Sequence, residues 1–103
     1  MLKSLQKITL ADGVTAASTG SSFSVERSKG WTFTVASTST SATVDVQAYI
    51  GADWRTIHSE AVTAAGNKVI RDDHGHYEKI RAKVDPIANG AISVFATGTT
   101  DSL

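Results

Sequence analysis

Trp31-Thr32-Phe33-Thr34-Val35-Ala36 and Thr43-Val44-Asp45-Val46-Gln47-Ala48-Tyr49-Ile50 decide the fold. In the first stretch Trp31, Phe33 and Val35 alternate with Thr32 and Thr34. In the second, Val44, Val46, Ala48 and Ile50 alternate with Thr43, Asp45, Gln47 and Tyr49. A period of two sends successive side chains to opposite faces of a pleated strand. Each stretch is therefore a strand with one apolar face, and Trp31 belongs to the core. The polar run Ser37-Thr38-Ser39-Thr40-Ser41 joins them. The expectation is an antiparallel hairpin presenting one apolar face.

Working outward, Leu5 to Leu10 reads as a first strand, closed by the turn signal Ala11-Asp12-Gly13. Val14 to Ser18 and Phe23 to Glu26 are short strand candidates. Gly51-Ala52-Asp53 is a further turn. The parity of Trp54 to Val62 slips, because Trp54 and Ile57 cannot share a face of one regular strand. A bulge, or Trp54 sitting at the turn, resolves this. Lys68 to Asp72 is a short strand, followed by a turn at Asp73-His74-Gly75-His76. Tyr77 to Val84 fits two patterns. As a strand, it points Ile80, Ala82 and Val84 inward, with Tyr77, Lys79, Arg81 and Lys83 outward. As a helix, it lines up Tyr77, Ile80 and Val84. We read it as a strand, since strands and turns surround it. Ala91 to Thr97 closes the fold, and Gly98 to Leu103 reads as a polar tail. Strand-sized segments separated by Gly, Asn, Asp and Ser signal an all-β chain. We expect one antiparallel β-sandwich over residues 1–103, Ig-like or jelly-roll-like, with about 7–8 short strands.

A chain of 103 residues is one domain of a size that closes around one core. Ser and Thr make up roughly a quarter of it, which suits strands and solvated loops. Ten basic residues balance ten acidic ones. That leaves no global basic field for nucleic acid, and no specific nucleic-acid partner is expected. No apolar run approaches the roughly 20 residues of a membrane span, and no membrane partner is expected. The start, Met1-Leu2-Lys3-Ser4-Leu5-Gln6-Lys7-Ile8, alternates lysine with apolar residues and does not read as a signal peptide. Cysteine is absent, which excludes disulfides and cysteine metal ligands and fits synthesis in a reducing cytosol.

Asp72-Asp73-His74-Gly75-His76 is the sharpest local cluster. A His-x-His pair on extended backbone puts both rings on one face, which zinc or nickel could use. The same residues form a polar β-turn, and we prefer that reading because no distant ligand set is evident. His58, the remaining histidine, cannot be placed beside them from sequence. No Gly-x-Ser-x-Gly elbow exists. Glu26, Glu60 and Glu78 are scattered, so a paired-carboxylate site is not indicated. The expectation is a non-enzyme without a cofactor.

Lys79, Arg81 and Lys83 form a basic ladder on one strand face. It suits contact with an acidic surface, but a solvated face paired across strands with Asp45 or Glu60 accounts for it as well. Trp54 follows a turn and Tyr49 opposes the buried ladder, so both are exposed candidates. Such aromatics serve sugar stacking or a protein interface.

The segment from Val46 to Ile57, Val-Gln-Ala-Tyr-Ile-Gly-Ala-Asp-Trp-Arg-Thr-Ile, resembles a pattern in small virion proteins of tailed phages. There a strand ending in Val-Gln-x-x meets a Gly/Asp turn, then Trp with an apolar residue three positions on. Gly75 to Val84 resembles the matching later strand, and Asn89-Gly90-Ala91-Ile92-Ser93-Val94 the final hairpin. Together these lie within residues 31 to 97, and the chain departs by a longer loop at Asp72 to His76. The resemblance implies a small virion sandwich of the head-decoration, head-fibre or neck-associated type, with no cofactor and no catalytic residues.

On this basis we expect a capsid decoration or cement protein, located in the virion after synthesis in the host bacterial cytoplasm. Its partners would be the major capsid protein or other virion proteins, and it would form a homo-oligomer, trimer or dimer. Interface candidates are Leu2, Leu5 and Ile8 on an N-terminal strand or arm spanning residues 1–10, together with Tyr49, Trp54, Tyr77, Lys79, Arg81 and Lys83. An apolar arm of this kind can add to a neighbour's open sheet edge. The alternative is an adhesive or carbohydrate-binding module using Trp54, Tyr49 and the His74/His76 loop.

Overall fold

The computed structural model describes the backbone of residues 2–25, 28–72, 77–85 and 90–102, with side chains for all of these but 2–6, 28–29 and 99–102. Nine strands and no helix occur among them. They are β1 (Leu2–Val14), β2 (Ser18–Thr19), β3 (Phe23–Ser24), β4 (Ser28–Ser37), β5 (Ala42–Ile50), β6 (Asp53–Val62), β7 (Gly66–Asp72), β8 (Lys79–Val84) and β9 (Ile92–Ser102). One sheet runs β1-β9-β4-β7. The other runs β2-β8-β5-β6, with β3 also on β8. All pairs are antiparallel. The molecule is the antiparallel sandwich expected, with two two-residue bridges taking the strand number past eight, and with β1, β4, β6 and β9 long rather than short.

The two apolar ladders do not form a hairpin. β4 lies between β9 and β7 in one sheet, and β5 lies between β8 and β6 in the other. Their apolar faces oppose each other: Trp31, Phe33 and Val35 are buried from one side, Val44, Val46 and Ala48 from the other. A hairpin would place both faces side by side and leave them needing a second cover. Facing each other, they supply it themselves, and each buried Val or Phe contributes about 1.5–3 kcal/mol. The serine-rich connection makes the crossing possible. Ser37 Oγ accepts from the Ser39 amide at 2.9 Å, and Ser39 Oγ accepts from the Ser41 amide at 3.2 Å. Thr38 N donates to the Ala91 carbonyl at 3.0 Å, and Ala91 N donates to Thr38 Oγ1 at 2.9 Å. Side chains thus take over hydrogen bonding that a ladder would supply, and Ser39 can be fully buried.

Ile80, Ala82 and Val84 of β8 complete one wall of the core, and Ile92, Val94 and Ala96 of β9 the other. The strand reading of this segment holds for Lys79–Val84. The ladder of β5 ends at Ala48, since Ile50 sits at the β5–β6 corner and is exposed. That hairpin is closed by Gly51 and Ala52, with Gly51 at φ 70° in the position type II′ turns give to glycine. The parity slip in β6 is a bulge: His58 faces Val46 and Thr56 faces Gln47, which leaves Ile57 as the extra residue.

Asp12-Gly13 is not a hairpin turn. β1 continues through it to Val14, with register shifts after Thr9 and after Ala11. Gly13, at φ 60°, donates its amide to Ser93 Oγ at 2.8 Å. The left-handed glycine absorbs an extra residue instead of reversing the chain. The polar tail is also corrected. β9 runs on to Ser102, its backbone paired with β1 from Gln6↔Gly98 to Leu2↔Ser102. Backbone pairing needs no apolar side chains, so polarity alone did not mark this segment as strand. The expected N-terminal arm is accordingly the edge strand of the chain's own sheet.

Candidate functional site

The strand order β8-β5-β6 assembles the outer face of the second sheet. The residues opposite the core ladders project there: Lys79, Arg81 and Lys83 from β8, Asp45, Gln47 and Tyr49 from β5, and Trp54, Thr56 and Ser59 from β6. Tyr49 faces Trp54 directly in the register, and their rings meet edge to face with centroids 5.5 Å apart. The Lys79 ammonium lies 5.7 Å from the centre of the Tyr49 ring. The Arg81 guanidinium lies 4.2 Å from the centre of the Trp54 ring. Each such cation–ring contact contributes about 0.5–1 kcal/mol at an exposed site, so the four side chains hold one another in place.

A row of polar contacts flanks this cluster. Arg81 Nε donates to Gln47 Oε1 at 2.8 Å, and Gln47 Nε2 donates to Thr56 Oγ1 at 3.4 Å. Asp45 faces Lys83 in the register and accepts from Ser59 Oγ at 2.6 Å. Lys83 Nζ lies 4.0 Å from Asp85, and Glu60 pairs with Lys68 at 2.9 Å. The basic ladder is thus partly neutralised at Lys83. Glu60 serves a different cation.

Four interface candidates, Tyr49, Trp54, Lys79 and Arg81, come together in this patch, with Lys83 beside it. Strand parity exposed Tyr49, Lys79 and Arg81, and the preceding turn exposed Trp54, but neither signal showed that β5 lies between β8 and β6. Ile8 does not belong: it is buried at 9% exposure, because β1 turns that side to the core. The side chains of Leu2 and Leu5 lie outside the described residues. Tyr77 leaves the basic ladder as well. It precedes β8, packs partly buried against the core and donates its hydroxyl to Asp72 Oδ2.

Asp72, a candidate metal ligand, ends β7 at 8% exposure. Its Oδ2 lies 2.8 Å from His58 Nε2 on β6, so the two residues join the sheets at one edge. Burial, with the hydrogen bond and charge of Asp72, holds the Tyr77 phenol above its usual range. The carboxylate is committed to protein donors, as suits an inter-sheet clasp. Asp73, His74 and His76 lie outside the described residues, among which no group of three His, Cys, Asp or Glu stands together as a metal site. The pairing of His58 with Asp72 had no signal in the sequence, since 14 positions and a change of sheet separate them.

No protein-family model and no curated protein sequence matches the chain. Solved structures do. The SPBc2 prophage-derived protein YomS superposes with a TM-score of 0.76 at 16% identity, over 97% of this chain and 96% of that one. The PBSX exported protein XepA superposes with a TM-score of 0.77 at 15% identity, over 97% of this chain but 39% of XepA. A protein of the Bacillus endospore appendages, disulfide-linked pili, gives 0.56 at 10% identity over 98% and 85%. At these identities the likeness is one of architecture: this chain is built as the two-sheet sandwich found in YomS, entire, and in XepA, as part of a longer protein.

Proposed function

We propose that the protein is a structural component of a tailed-phage particle, most specifically a head decoration protein, and that it works by adhesion through the outer face of its second sheet. The observation that carries this is the Tyr49–Trp54–Arg81–Lys79 cluster. Aromatics and arginine are the residues that dominate binding energy at protein interfaces. Here they are already ordered before any partner arrives, so docking loses little side-chain entropy. The fold it shares with two phage-derived proteins supports the source, and the resemblance noted in the sequence supports the particle. The neighbour from disulfide-linked pili holds copies together by covalent links. This sequence has no cysteine, so repeated copies on a symmetric shell would rely on many weak contacts acting together. A balance of ten basic and ten acidic residues limits repulsion between crowded copies.

Co-sedimentation with phage heads that lack the protein tests this. Wild-type chain is expected to pellet with the heads at a fixed ratio to shell subunits, and Trp54→Ala is expected to remain in the supernatant while still folded. Glycan-array binding that is lost in Trp54→Ala, with no pelleting of wild type, would overturn the reading in favour of a sugar-binding module. Arg81 already covers one side of the Trp54 ring, which makes that ring a poor open platform for a sugar.

A further inference from the structure

Arg81 occupies a special position in this patch. Its guanidinium is stacked on Trp54 at 4.2 Å, and its Nε is spent on Gln47 Oε1 at 2.8 Å. Gln47 is itself tied to Thr56. Every contact fixes the plane and direction of the fork. None uses the two terminal nitrogens, which have no acceptor among the described residues. An arginine left mobile on a surface loses conformational freedom when it binds. This one has lost it already, through three strands that the fold places side by side.

We infer that Arg81 is a carboxylate-reading anchor, and that the partner surface presents an Asp or Glu side chain to its two terminal nitrogens. A carboxylate matches two parallel N–H donors in one plane, and such charge-assisted pairs are roughly twice as strong as neutral ones. Tyr49 and Trp54 flank Arg81 with aromatic surface that a docked partner would cover, and such a rim strengthens the contact it surrounds. Charge distribution favours protein carboxylate over nucleic-acid phosphate. Lys83 is met by Asp85 and faces Asp45, and Lys79 lies at the Tyr49 ring. That leaves one directed cation in place of the basic track that follows a phosphate backbone.

This inference rests on the docking reading for the source of the partner, but the carboxylate site is measured on the isolated chain. The probes are a short poly-L-glutamate peptide, poly-L-glutamine of the same length and a short oligothymidylate, each titrated into the nitrogen-15-labelled 103-residue chain. Poly-L-glutamate is expected to shift the Arg81 Nε–H and Trp54 Nε1–H resonances saturably, and poly-L-glutamine is not. Arg81→Lys keeps the charge but loses the fork, and is expected to weaken binding by about tenfold or more. Lys83→Gln is expected to change it by less than about twofold. Equal binding by Arg81→Lys, shifts that bypass Arg81, or tighter binding of oligothymidylate would each overturn the inference. Loss of head co-sedimentation with poly-L-glutamate binding intact would remove the docking reading alone. Head binding without any poly-L-glutamate response at Arg81 would remove this inference alone.

Discussion

His58 on β6 and Asp72 on β7 meet across the sandwich, Nε2 to Oδ2 at 2.8 Å, and so tie the edge strand of one sheet to the edge strand of the other. The Tyr77 hydroxyl reaches the same carboxylate oxygen. Removing the carboxylate leaves a partly buried ring nitrogen and a phenol without their acceptor. Asp72→Ala is therefore expected to cost about 2–3 kcal/mol of stability. Tyr77→Phe removes one donor and keeps the ring, and is expected to cost about 1 kcal/mol. Urea unfolding of the three proteins checks both, with Asp72→Ala losing more than Tyr77→Phe. The reverse order would show that packing of the Tyr77 ring, not the clasp, holds this edge.

The same phenol sets an alkaline limit. Burial comes first, then the hydrogen bond to Asp72 and its charge, and all raise the Tyr77 pKa. In the unfolded chain a tyrosine titrates near its usual value of about 10. Between that value and the raised one, the unfolded chain gives up a proton that the folded chain keeps. Unfolded protein then binds fewer protons, so stability falls as pH rises. The contribution is complete below about pH 10 and drains away above it. Urea midpoints from pH 8 to 11 are expected to fall more steeply for wild type than for Tyr77→Phe. Parallel slopes would disprove the linkage.

Much of this was legible in the residues, and the boundary of what was legible has a physical cause. Period two states which side of a strand faces the core, and so Trp31, Phe33, Val44, Val46, Ile80 and Val84 were read as buried. It does not state which strand lies alongside. A five-residue connection such as Ser37 to Ser41 serves a hairpin or a crossing equally well. Only the opposed faces and the buried Ser39 decide for the crossing. The candidate site divides in the same way. Parity exposed Tyr49 and Arg81, and the preceding turn exposed Trp54, whereas their contact depends on sheet order. Asp12-Gly13 carried a turn signal because a left-handed glycine serves a bulge as readily as a turn.

Gly98 lies where β4 bulges. Lys29 pairs Thr99 and Thr32 pairs Thr97, so Gly30 and Trp31 face Gly98 alone. A Cβ on Gly98 would meet the six-membered part of the Trp31 ring, with Cζ3 at 2.7 Å and Cη2 at 2.8 Å. Trp31 is fully buried and has no room to yield. Gly98→Ala is expected to cost about 1–3 kcal/mol through overpacking. Trp31→Phe shortens the side chain at that point. In a Trp31→Phe background the added cost of Gly98→Ala is expected to drop by at least about 1 kcal/mol, a coupling read from a double-mutant cycle. Strict additivity would place the strain elsewhere.

Ile57 is the residue that keeps β6 in two registers. Before it, Trp54 and Thr56 match Tyr49 and Gln47; after it, His58 and Ser59 match Val46 and Asp45. Deleting Ile57 makes Thr56 and His58 neighbours, opposite Gln47 and Val46, which are already neighbours. The strand then alternates regularly, with Trp54 and Thr56 still outward and His58 still inward. A deletion inside a strand normally flips one half of it to the wrong face. Here none is flipped, and the loss is confined to the partial burial of one isoleucine, about 1–2 kcal/mol. The variant is expected to stay folded, with the Arg81 guanidinium still over the Trp54 ring, so that Arg81→Lys still shifts the Trp54 Nε1–H resonance as it does in the wild-type chain. Deleting Glu60 instead shifts parity on one side, and is expected to unfold the edge or expose His58. Equal damage from the two deletions would mean that Ile57 is not the surplus residue, and that the outward placement of Trp54 has another cause.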